Sequence, residues 1–282
     1  MTAARTAGTK PESAPIAAPG LSGYRGKFVV IKIGGSDEAA STSIFEDIAR
    51  LRAEGVKVVV VHGGGKALSH WLKLAGHQTR FVDGLRVTDS ETLEVAVMVF
   101  AGKVNKEIVS RFAKLGMRAV GISGVDGGLV VVEPETHPPG LGLVGRIVAL
   151  DTLLLDRLVE SEMVPVVAPI AADRNGQMFN VNADTIASEI AAALGAASLV
   201  FVTDVRGVLD ASGEPIEKVT PPIARQLRQE GTISGGMIPK IDAALAPLGS
   251  VGETHVVDGS TPHVLIDQLG GPNRPGTRFA LQ

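Results

Sequence analysis

"VVVVHGGGKALSHWL", residues 58–72, runs four valines into three glycines and a lysine. Successive side chains of a strand point to opposite faces, so four valines in a row put apolar groups on both. A strand of that kind is buried on both sides, as in parallel sheets covered by helices. The glycines that end it bare the backbone, as an anion cradle requires. Two familiar cradles do not fit. G-x-x-x-x-G-K-[ST] fails because Val60 stands at its first glycine and Ala67 follows Lys66. The spacing G-x-G-x-x-G is absent as well.

Working outward, short β-branched runs recur at Phe28–Ile33, Ala119–Ser123, Leu129–Val132, Val164–Ala168, Leu199–Asp204 and Thr254–Asp258, besides Lys57–His62. Between them lie apolar-periodic stretches near Ser43–Glu54, Ala67–Ala75, Ser90–Leu115, Leu150–Glu160, Ala183–Leu194, Pro221–Glu230, Met237–Leu245 and Pro262–Leu269. Asp89 before a stretch carrying Glu91, and Asp184 in the first turn of another, are helix-start signals. Strand–helix alternation predicts an α/β fold with a mostly parallel central sheet between helices. Glu133–Leu150, rich in glycine and proline, reads as a hairpin or lid, and the composition shift near Leu194–Ser198 marks the lobe boundary.

A chain of 282 residues can form one large α/β domain or two lobes, burying roughly three quarters of its unfolded surface. Its net charge of −3 gives no electrostatic case for nucleic acid or an anionic membrane. An aromatic content of 4% argues against base-stacking platforms. The chain has no cysteine, so disulfides, thiolate nucleophiles and cysteine-based metal sites are excluded. No apolar run reaches the roughly 18 residues of a membrane-spanning helix. The first residues lack the apolar block of a signal peptide, so residues 1–24 are expected to be a flexible extension and the address cytoplasmic.

Unusual residues gather where strands end, which is where ligands of such sheets bind. Lys32 precedes Ile33-Gly34-Gly35-Ser36, and a lysine buried in a strand is costly unless its ammonium finds a partner. The clusters Gly34-Gly35 and Gly63-Gly64-Gly65 each join a strand to a helix, so their N–H groups and the helix's positive end can meet an anion. "DGLRVTD", 83–89, offers Arg86 either to a carboxylate or to a surface ion pair with Asp83 or Asp89. "FNVNADT", 179–185, alternates Asn180, Asn182 and Asp184, more polar groups on one side than a helix cap needs. "SGGMIPK", 234–240, sets Lys240 near a helix start, where the dipole disfavours a cation unless it faces an anion. This set, with no obvious nucleophile, suits phosphoryl transfer to a carboxylate. The acceptor is already ionised at neutral pH, so the protein has only to position it and stabilise charge.

On "VVIKIGGS", "VVVVHGGGK", "FVDGLRVTD", "AGKVNKEIV", "FNVNADTIA", "FVTDVRGVLD", "GGMIPKIDAAL" and "PGTRF", the chain resembles the amino acid kinase family over about residues 25–280. The nearest branch is the one acting on N-acetyl-L-glutamate. The resemblance implies an open αβα sandwich of two lobes. Residues 25–196 would bind the acyl acceptor and dimerise, and residues 197–282 would bind ATP. It implies that Lys32 and Lys240 stabilise the transferring phosphoryl group, with Asp184 organising both. Gly34, Gly35 and the Gly63–Gly65 loop, through Gly64, would donate N–H bonds to it. Arg86 and Asn180 would hold the substrate α-carboxylate, with Asn182 close by. Thr203, Asp204, Gly235, Gly236 and Met237 would border the nucleotide, and Mg²⁺ would arrive on ATP without a protein metal site of its own. A homodimer is implied. Pro11, Pro15 and Pro19 oppose the N-terminal helix through which arginine-inhibited members form hexamers. The alternatives are a kinase acting on carrier-protein-bound aminoadipate or glutamate, suggested by Val125 in "GISGVDGG", and a non-catalytic amino-acid sensor.

Overall fold

The protein is described by a computed structural model, which covers residues 19–34, 41–210, 212–233, 237–272 and 274–282. Its strands are β1 Phe28–Ile33, β2 Lys57–His62, β3 Phe81–Val82, β4 Leu85–Arg86, β5 Ala119–Ser123, β6 Val130–Pro134, β7 Gly145–Leu150, β8 Val164–Ala168, β9 Ile170–Ala172, β10 Met178–Asn180, β11 Ser198–Thr203, β12 Lys218–Val219, β13 Glu253–Asp258 and β14 Thr277–Phe279. Its α-helices are α1 Thr42–Ala53, α2 Gly65–Leu74, α3 Ser90–Val97, α4 Asn105–Lys114, α5 Leu153–Glu160, α6 Ala183–Ala193, α7 Pro221–Gln229, α8 Met237–Leu245 and α9 Val264–Gly270.

Eight of these strands form one sheet in the order β12-β14-β13-β11-β1-β2-β8-β5. Every neighbouring pair from β13 to β5 is parallel, and β14 turns antiparallel to β13. The valines of β2 show why. Val58 and Val60 enter one core with α1, α2, α4 and α9, whereas Val59 and Val61 enter the other with α5, α6, α7 and α8. All four are fully buried. Each such burial stabilises by about 1.5–3 kcal/mol, and alternation lets one strand supply both cores.

A second sheet, β10-β9-β6-β7, lies on the α5–α6 face, its Val130, Val132, Ala171 and Phe179 sharing that core. The Glu133–Leu150 segment is its antiparallel hairpin β6–β7. The single helix expected over Ser90–Leu115 is interrupted by a π-helical stretch, Met98–Val104, between α3 and α4. Such a stretch re-aims the side chains within and after it, here Phe100 and Asn105. Residues 194–197 link α6 to β11, and β11 enters the sheet beside β1 from Ser198 onward.

Of the extension expected over residues 1–24, the described residues are 19–24. Pro19–Tyr24 is a 3₁₀ turn whose Leu21 is buried beside α9, which holds the turn down. The reading of Pro11 and Pro15 lies outside the described residues. No helix among the described residues is long and apolar enough to cross a membrane.

Candidate active site

The carboxyl ends of β1 and β2, the hairpin β3–β4, β10 and the start of α6 surround a cleft of about 220 Å³. Lys32 lies on its floor. Its strand neighbours alternate into the other core, so its stem faces α6, and its Nζ meets Asp184 Oδ1 at 2.7 Å. Burial by itself would raise the Asp184 carboxyl. The Lys32 ammonium, the charge of Lys240 and the hydrogen bond from Lys32 together hold it below the usual carboxylate range. Asp184 is therefore ionised at neutral pH and keeps the Lys32 ammonium in the cleft.

Two of the glycine N–H groups are taken. Gly34 N–H donates to Val202 O at 3.1 Å and Gly63 N–H to Ile33 O at 3.0 Å, extending the ladders beyond the strands. Gly64 is the N-cap of α2 and offers no side-chain cap, so the positive end of that helix opens on the cleft. A methyl group on Gly64 would come within 2.7 Å of the Phe100 ring, which is why the backbone must be bare there. Gly35, the partner expected in the other loop, lies outside the described residues.

Arg86 forms no pair with Asp83 or Asp89. Asp89 instead caps α3, accepting from Thr92 N–H at 2.8 Å. Arg86 is 8% exposed, and its guanidinium stands 4.7 Å from the Phe81 ring centre. It donates to Gly65 O (3.0 Å), Ser69 Oγ (2.9 Å) and Thr79 Oγ1 (3.1 Å). All three partners are neutral, and burial lowers the arginine's pKa for want of a carboxylate. Asn180 lines the same cleft and donates to Thr88 Oγ1 at 3.2 Å, while Thr88 Oγ1 donates to Arg86 O at 2.9 Å. Asn182 is a helix cap: its Oδ1 accepts from Asp184 N–H and Thr185 N–H.

Lys240 sits in the first half of α8 and acts on Asp184 through space. Thr203 ends β11, its hydroxyl engaged with Val205 and Val257, and Asp204 beside it is exposed. Met237 begins α8, while Gly235 and Gly236 lie outside the described residues. Residues that the sequence reading passed over include Ser69, Thr79 and Thr88, which hold Arg86 and Asn180, and His62 and Asn105 behind the glycines. Thr79 and Ser69 lie 7 and 17 residues from Arg86, Thr88 lies 92 from Asn180 and His62 lies 43 from Asn105, so local spacing carries no trace of these contacts. The site offers one buried unpaired cation, one paired ammonium and an open helix start around one small cleft. Such an arrangement has the chemistry to receive a carboxylate at the arginine and anionic oxygens at the lysine and the helix start.

A sequence profile of the amino acid kinase family matches residues 27–258. An acetylglutamate kinase of Rhizorhabdus wittichii is 45% identical, the match covering 97% of this chain and 96% of that protein. One from Synechococcus elongatus is 43% identical over 90% and 86% of the two chains. Among solved structures, N-acetylglutamate synthase from Neisseria gonorrhoeae, complexed with coenzyme A and N-acetyl-glutamate, superposes with a TM-score of 0.83 at 24% identity. That match covers 94% of this chain and 62% of the synthase. Carbamate kinase from Giardia lamblia bound to AMP-PNP gives 0.67 at 18% identity, over 91% and 99% of the chains. At these identities the structural likenesses speak for the fold alone.

Proposed function

The chain belongs to the amino acid kinase family, and from that premise we propose that it transfers the γ-phosphoryl group of ATP to the side-chain carboxylate of N-acetyl-L-glutamate. The product is N-acetyl-L-glutamyl 5-phosphate, and the reaction belongs to arginine biosynthesis. The observation that carries this reading is the cleft itself. Arg86, buried without a carboxylate, stands at one side of it, and the Lys32–Asp184 pair lies on its floor beside the Gly63–Gly65 loop. Near-full-length relatives at 43–45% identity named acetylglutamate kinase support the substrate, and disfavour a carrier-bound acceptor or a silent sensor.

In this reading Arg86 and Asn180 bind the substrate α-carboxylate and aim the side-chain carboxylate at the phosphorus. One carboxylate oxygen forms the new P–O bond while the bond to ADP breaks. No proton has to move, because the acceptor is already an anion. Lys32 and Lys240 offset charge on the phosphoryl oxygens, and Gly64 N–H donates to one of them. Each such preorganised donor is worth about 10²–10³ in rate. Asp184 holds Lys32 in place. Thr203, Asp204 and Met237 border the nucleotide, whose phosphates carry Mg²⁺, a hard cation that keeps most of its water. Residues 25–196 thus serve the acceptor and 197–282 the nucleotide. A cytoplasmic address, where ATP is at hand, fits this reaction.

We also expect a homodimer, since Trp71 and Leu74 of α2 and Met98, which opens the π-helical stretch packed against α2, leave apolar surface uncovered. Sedimentation velocity giving only monomer at micromolar concentration would refute it. The function is tested by trapping the acyl phosphate with hydroxylamine in the presence of Mg-ATP. Signal with N-acetyl-L-glutamate, and none with free glutamate or N-acetyl-aminoadipate, is expected. Silence with all three acceptors would overturn the assignment.

A further inference from the structure

His62 ends β2 and is fully buried, with both ring nitrogens engaged. Nδ1 lies 2.7 Å from the Gly63 carbonyl oxygen, and Nε2 lies 3.1 Å from Asn105 Nδ2. Asn105, also fully buried, follows the π-helical stretch. Its amide can face only one way. Nδ2 meets Val166 O at 2.9 Å and Ile122 O at 3.3 Å, which can only accept, and Oδ1 meets Lys106 Nζ at 2.9 Å, which can only donate. His62 Nε2 therefore faces a donor and must be bare, so the ring proton sits on Nδ1 and is donated to Gly63 O. Burial, with the charges of Lys32 and Lys106 adding to it, lowers the His62 pKa to about 4 and keeps the ring neutral. Gly121 has to be glycine for this: a methyl group there would come within 1.8 Å of Asn105 Oδ1.

The consequence lies in the next peptide. In a planar trans peptide the carbonyl and the N–H point in opposite directions. His62 draws the Gly63 carbonyl toward the α4 face, so the Gly64 N–H points the other way, to the side of the sheet where Lys32 lies. Among the described residues that N–H has no acceptor. Donation to the carbonyl also polarises the peptide and strengthens its N–H as a donor. We propose that His62, set in one tautomer by Asn105 and Lys106, is a positioning residue that aims the Gly64 N–H at the transferring phosphoryl oxygen. This rests on the phosphoryl-transfer reading above.

The test turns on which ring nitrogen is imitated. His62→Asn keeps an N–H near Nδ1, whereas His62→Gln places its amide near Nε2 and leaves the Gly63 carbonyl unheld. We expect His62→Asn to keep kcat within about fivefold and His62→Gln to lose about a hundredfold, with KM for both substrates within about twofold of the parent. Inhibition by ADP with tetrafluoroaluminate in the presence of N-acetyl-L-glutamate should weaken in parallel for the Gln variant only. Thermal melts accompany each variant. A Gln variant as fast as the Asn variant, or a loss that falls on KM, overturns the proposal. If the Gln variant does not fold, a folded His62→Asn variant slower than the parent by more than tenfold overturns it as well. An inactive parent enzyme would instead overturn the assignment of function.

Discussion

Acid should loosen this protein before most of its carboxylates titrate, because two histidines are buried neutral. His62 and His255 are both fully buried, and burial is the chief reason each has its pKa lowered to about 4. His62 faces Lys32, Lys106 and the Asn105 amide. His255 contacts Gln268 at 3.0 Å and lies near Glu253, Arg274 and Arg278. In the unfolded chain a histidine titrates near 6.5. Between these values the unfolded state binds protons that the native state refuses, so stability is full above about pH 6.5 and falls as pH drops toward 4. From pH 7 to 5 each histidine then removes about 2 kcal/mol, so the pair removes about 4 kcal/mol. That is a large share of a total stability of about 5–15 kcal/mol. Asp47 works against this nearer pH 4, since burial raises its carboxyl and the native state then takes up that proton first. Urea unfolding followed by far-UV circular dichroism at pH 7, 6 and 5 reads the effect. The midpoint should fall steadily for the parent, and about half as steeply for His62→Asn, which lacks one of the two groups. Equal midpoints at pH 7 and 5, or an unchanged slope in the variant, would refute the assignment of neutral buried histidines.

Other perturbations probe the cleft directly. Lys32→Ala should lower turnover by about 10²-fold or more, while calorimetry still detects N-acetyl-L-glutamate binding; unchanged turnover removes Lys32 from the mechanism. Arg86→Lys keeps the charge but loses the fork that reaches Gly65, Ser69 and Thr79. It should raise KM for the acceptor roughly 10–100-fold, the worth of one or two charged hydrogen bonds, and a KM within twofold would show that Arg86 does not meet the substrate. Gly64→Ala brings a methyl group against Phe100, so turnover should drop about 10–100-fold if the N–H is displaced, and Phe100→Leu in the same chain should recover part of it. Full activity of Gly64→Ala would show that the loop has room to spare.

Much of the fold was legible in short stretches. The strands at Phe28–Ile33, Lys57–His62, Ala119–Ser123 and Val164–Ala168 carry the boundaries that their β-branched runs suggest. The first, second and fourth are buried on both faces, as a doubly covered sheet requires, whereas Ala119–Ser123, at the sheet's edge, is only half-buried. Harder to see were β9, β10 and β12, two or three residues long, because so few residues make no period. The π-helical stretch was equally hidden, since its apolar spacing matches that of the helices around it. In the site, the pairing of Lys32 with Asp184 could be anticipated from charge and position. Asn182 proved to be the cap that its place before α6 allows.

By itself the sequence determined the alternation of strand and helix, the two-faced burial of the sheet and the residue types gathered at the strand ends. These are properties of neighbours along the chain, and a period of two or of 3.6 expresses them directly. Only the tertiary structure decided which N–H groups are free, which way a carbonyl faces and which proton a histidine keeps. Gly34 and Gly64 look alike in sequence, yet Val202 accepts from one, while the other is left open with its peptide turned by His62 and, behind it, Asn105. Val202 and Asn105 are tens of residues distant from the groups they meet, brought within about 3 Å by the pairing of β1 with β11 and by the packing of the sheet against α4.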